Sequence, residues 1–231
     1  NNEGGTTNDA YILLTGGVVT NLYGGGNKAK TTNTNINISN TLIENSFFGG
    51  GNEASVENVN ANVYSSTIGS TSNDAKMFGG GNKAKINDKI NFTISDNTQV
   101  YGSVFGGGNL GEVENTVTLT INDSIISNDI YGSGNLASVG KVEKDTISLK
   151  LNNVSAKTVY GGGNAALTNG NVDLIINNSN ITDSIYGAGN GLDSIVPGDE
   201  TGKDNPAKVN GNTNLTITNT TANNVYGGGN L

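Results

Sequence analysis

The feature that most constrains this chain is a group of five residues that returns eight times. An aromatic is followed by Gly-x-Gly-Asn, beginning at Tyr23, Phe48, Phe78, Phe105, Tyr131, Tyr160, Tyr186 and Tyr226. Glycine loses more backbone freedom on folding than any other residue and brings no side chain to pack, so it weakens a strand or helix. A chain that accepts this weakness at every repeat needs a backbone path that other residues cannot follow. Successive aromatics are 25, 30, 27, 26, 29, 26 and 40 residues apart, in the range of solenoid repeats whose fixed motifs are separated by loops of variable length.

Each motif from the second on follows a segment that alternates apolar and polar residues: "TNINIS", "VNANVYS", "INFTIS", "VTLTIN", "ISLKLN", "VDLIIN" and "TNLTIT". Period two, as in Val117, Leu119 and Ile121, marks a strand with one buried face. A polar corner such as "SNT" or "NDS" comes next, then a lone apolar residue, as at Ile43, Ile68 and Ile126. Beyond the motif, Ala or Gly followed two residues later by Thr, Val or Ile (Ala54 and Val56, Ala84 and Ile86) predicts a short third strand. No window shows helical spacing. The reading is all-β: a three-sided parallel β-solenoid of about eight rungs, a single domain over 1–231. Right-handed coiling is expected, because crossovers between parallel strands are overwhelmingly right-handed.

Composition narrows the function classes. Apolar residues are 33% of the chain and charged residues 14%, with a formal charge of -8. All twelve basic residues are lysines, so the clustered cations that nucleic acid requires are missing. No apolar run is long enough to span a bilayer. There is neither cysteine nor histidine, which removes disulfides, thiolate metal sites and imidazole chemistry.

Within the motif, counting back by twos from an inward Ala and Val places the Asn, the middle residue and the aromatic inward, and the first and third glycines outward. The aromatics are then an internal stack, the alternative being an exposed stripe that stacks on sugars. The asparagines Asn27, Asn52, Asn82, Asn109, Asn135, Asn164, Asn190 and Asn230 read as a structural ladder bonded from rung to rung. The outward glycines either hold positive φ or floor a trough that something approaches closely. In the second case Gly106, Gly108, Gly132, Gly134, Gly161 and Gly163 are candidate ligand contacts.

These strands and this motif resemble the right-handed parallel β-helix proteins, which include pectate-lyase-like enzymes and the repetitive stalks of bacterial surface adhesins. The resemblance implies extracellular display on a bacterial surface. It also implies catalytic residues that are missing here: an arginine base in the lyases, and histidine with Arg-x-Lys in the polygalacturonases. The expected function is therefore a non-catalytic adhesin or stalk, with a glycan or host protein as possible ligand and adjoining repeats as neighbours. A carbohydrate-binding or lyase-like module is the alternative. The long insertion "GLDSIVPGDETGKDNPAKVNG" holds both prolines. Its Asp193, Asp199, Glu200 and Asp204 could supply oxygen ligands to calcium, although a solvated loop is the simpler reading. No other cofactor is implied. The chain stops inside a motif, at "GGGNL", which predicts a piece of a longer array or an end covered by a partner.

Overall fold

A computed structural model describes residues 5–142, 144–191 and 207–230. Alternating segments of this kind bury one face only if another layer covers it, and here the chain covers itself by coiling. The described residues form nineteen strands in one continuous sheet, with no helix among them. Every pairing between strands joins one turn to the next in parallel, as in Lys30–Ser39 with Val56–Tyr64 or Val117–Ile126 with Thr146–Ala156. Eight long strands stack from Thr6–Thr15 to Thr213–Thr218, giving a parallel β-solenoid of about seven turns. At ~4.8 Å per step the stack is about 34 Å long.

Register makes like stack on like. Ile12, Ile36, Ala61, Phe92, Leu119, Leu149, Leu174 and Leu215 form one inward column along the long strands. The small Ala61 sits beside the large Phe92, and Phe47 from another side of the coil stacks on Phe92 at 5.3 Å. The core includes the residue that precedes each of the first seven aromatics, from Leu22 and Phe47 to Val159 and Ile185, whereas Val225 before Tyr226 is exposed. The third strand expected from sequence is instead one bridging residue per turn: Val56, Ile86, Val113, Val139, Thr168 and Val209 pair in succession.

The polar corner has a specific backbone. Asn40, Ser65, Asp123, Asn153, Asn178 and Asn219 hold φ between 47° and 55°, a region that Asn and Asp tolerate better than other side chains. One residue on, the hydroxyls of Thr41, Ser66, Ser124, Ser179 and Thr220 donate back to the carbonyl two residues earlier, at 2.7–3.0 Å. Several of these oxygens also accept a backbone N–H from the preceding turn, Thr41 N to Ser66 Oγ and Val154 N to Ser179 Oγ among them. The corner thus satisfies its own buried backbone.

Candidate functional site

The repeated motif is the most site-like feature of the sequence. Neighbouring rings from Tyr23 through Phe48, Phe78, Phe105, Tyr131, Tyr160 and Tyr186 to Tyr226 lie 4.7–5.0 Å apart with planes within 12° of parallel. That spacing is the strand spacing, so the sheet sets the stack and each ring pair adds about 0.5–1.5 kcal/mol. The expected parity does not hold. Successive strand side chains point to opposite faces, and Phe47 and Val159 occupy the main core, so Phe48 and Tyr160 lie on its far side. They are nevertheless buried and form a second, separate cluster. The aromatic column is thus buried and stacked, as expected in place of an exposed stripe, but it forms a cluster of its own and does not join the main core.

Burial has an electrostatic consequence. Loss of water around the Tyr131 phenol, reinforced by the Asp129 carboxylate, raises its pKa well above the ordinary value. Its hydroxyl donates to Asp129 Oδ2 at 3.4 Å, while Asp129 Oδ1 is buried without a partner. Burial pushes Tyr160 up to about 12, again with help from Asp129.

The glycines do not floor an open trough. Gly106, Gly108, Gly132, Gly134, Gly161 and Gly163 are all buried, and none holds a positive φ. A Cβ at the first position would face the core: at Gly106 it would meet the Gly132 carbonyl and lie 2.8 Å from Val117 Cγ1, and at Gly161 it would lie 2.6 Å from Val172 Cγ1. At the third position, Gly108, it would meet the Gly111 carbonyl and lie 2.9 Å from Gly81 O. The close approach that glycine permits is made by the chain's own backbone; the first glycine faces the core and not outward, and none of the six holds the positive φ of the other expectation.

The asparagine ladder is complete. Asn52, Asn82, Asn109, Asn135, Asn164, Asn190 and Asn230 each donate Nδ2 to the Oδ1 of the motif asparagine one turn earlier, at 2.7–3.0 Å. Their backbone N–H groups bond the third glycine of the previous motif, as Asn109 N does Gly81 O at 3.0 Å.

Charged groups are few and dispersed. Glu114 pairs with Lys85 and Lys141 on the turns to either side; these two ammonium groups hold its carboxyl below the usual range, and Glu114 raises Lys85. Among the described residues no three acidic side chains gather in a way that could hold a metal ion. Asp193, Asp199, Glu200 and Asp204 lie outside the described residues. Sequence reasoning missed the hydroxyl column at the corners, whose signal was Ser or Thr just after the corner Asn or Asp in most turns, as at Thr41, Ser124, Ser179 and Thr220. It also missed the outward face of the first turns, where the exposed Tyr11 stands beside stacked asparagines. No protein-family model, curated protein or solved structure matches the chain.

Proposed function

We propose that this chain is a non-catalytic rod of a bacterial cell-surface adhesin, holding a binding surface away from the cell. The observation that carries the reading is the use made of the repeated motif. Its rings stack on one another, its glycines admit the next turn, and its amides bond from each motif to the next along the stack. Residues engaged in this way serve stiffness and length, because each turn is tied to the next by side chain as well as by sheet. Bacterial surface display rests on the resemblance to repetitive adhesin stalks. The lyase-like alternative loses its proposed face, since the glycines that were to floor it are covered.

Deleting the gene in the source bacterium and counting cells attached to glycan-coated and protein-coated surfaces tests the proposal. Loss of attachment, restored by the intact gene, is the expected result. Unchanged attachment of the deletion strain would overturn it, as would release of new reducing ends from any polysaccharide by the purified chain.

A further inference from the structure

Stacked asparagines in this chain usually bond one another. The motif ladder does so throughout, Asn62 donates to Asn37 at 3.1 Å, and Asn58 donates to Asn33 at 3.0 Å. One column on the outward face of the long strands departs from this habit. Asn35, Asn60 and Asn91 lie in register on three successive turns, yet among the described residues their side chains make no hydrogen bond. Tyr11 pairs in register with Asn35 and extends the column by a ring that is 77% exposed.

A shallow trough of about 330 Å³ lies over this column. At its margin Asn58 is bonded through Nδ2, but its Oδ1 is buried without a partner. The two charged groups of the trough are of opposite sign: Lys89, and Asp9, which accepts from Asn33 at 2.7 Å.

We propose that this trough binds a neutral glycan chain laid along the rod axis, one sugar ring against Tyr11 and the hydroxyls of the following units on Asn35, Asn60 and Asn91. The chemistry favours a sugar over other ligands. An exposed aromatic offers its face to the C–H side of a pyranose, and a primary amide both donates and accepts, as a hydroxyl does. Steps of ~4.8 Å put one amide under about one sugar unit. A peptide would need an open strand edge to add to, whereas the strands that carry Asn35, Asn60 and Asn91 are each paired on both sides. A polyanion would find one lysine and one carboxylate. This goes beyond the rod: a rod that bound nothing here would still span and stiffen.

Affinity electrophoresis of the full chain through gels of soluble neutral polysaccharides (laminarin, hydroxyethyl cellulose, xyloglucan and galactomannan) tests it. The expected result is retardation in at least one gel, weakened about tenfold by Tyr11→Ala and by Asn60→Ala. Asn62→Ala, which breaks a ladder bond in the neighbouring column, should leave retardation unchanged. Thermal unfolding of each variant establishes that it still folds. Migration unaffected by every gel, or retardation that survives both Tyr11→Ala and Asn60→Ala, would overturn the proposal without touching the rod.

Discussion

Asn135 Nδ2 donates to Asn109 Oδ1 across 2.8 Å, and Asn109 Nδ2 donates to Asn82 Oδ1 at 3.0 Å. A middle asparagine therefore has two obligations and an end asparagine one. Asn109→Ala leaves a donor on one side and an acceptor on the other without partners, which should cost about 2–3 kcal/mol. Asn27→Ala removes only the bond from Asn52 and should cost about 1 kcal/mol. Urea unfolding of the two variants checks the difference; equal losses would mean that the ladder does not act bond by bond.

The three glycines of a motif should not be equivalent. At Gly107 a Cβ would lie 2.7 Å from Val139 Cγ2 and 2.9 Å from the Gly134 backbone N, a milder overlap than the one at Gly106, and the same position already carries Ser133 and Ala188 in other turns. At Gly106 the obstacle is the Gly132 carbonyl, held in the sheet. Gly107→Ala is expected to cost about 1–2 kcal/mol and Gly106→Ala about 3 kcal/mol or more, the larger end of overpacking penalties. Melting temperatures would rank them, and the reverse order would contradict the geometry.

The bridging column contains one polar member. Thr168 is fully buried, and its Oγ1 has no partner, while Val139 and Val209 occupy the same place on the adjacent turns. Thr168→Val keeps the shape and removes an unsatisfied hydroxyl, so it should stabilise the chain by about 1 kcal/mol. A lower unfolding midpoint for the variant would refute this.

Alkali should loosen the ring stack. A phenol whose pKa is raised by folding contributes stability that is intact below its unfolded value, near 10. That stability is lost as pH rises toward the folded value, because the unfolded chain releases its proton first. With Tyr160 at about 12 and Tyr131 also raised, circular dichroism and tyrosinate absorbance should change together between about pH 10 and 12. Tyr131→Phe, which places there the ring already found at Phe105, should make the decline shallower at little cost near neutral pH. An unchanged alkaline profile would show that Tyr131 does not take part.

Much of the architecture was legible because its signals are local and periodic. Alternation over "VTLTIN" and "ISLKLN" marks one-sided strands, and a motif returning at solenoid intervals can only stack. The asparagine ladder followed from the same argument, since identical residues at one point of each turn must meet. The interior of the motif was not legible in this way. Parity counted back from Val56 or Ile86 assumes an unbroken strand, but the chain bends within Gly-x-Gly, which carries the first glycine to the core side and the aromatic to the other.

The repeat is legible in the chain alone: strands of period two, polar corners, and columns of like residues. Which amides in those columns are engaged was decided by the tertiary structure, because Asn35 and Asn37 are indistinguishable along the chain. Asn37 accepts from Asn62, while Asn35 bonds neither Asn60 nor any other described side chain and stands next to Tyr11. The difference lies in how side chains on successive turns are aimed across ~4.8 Å, a relation between residues about twenty-five positions apart.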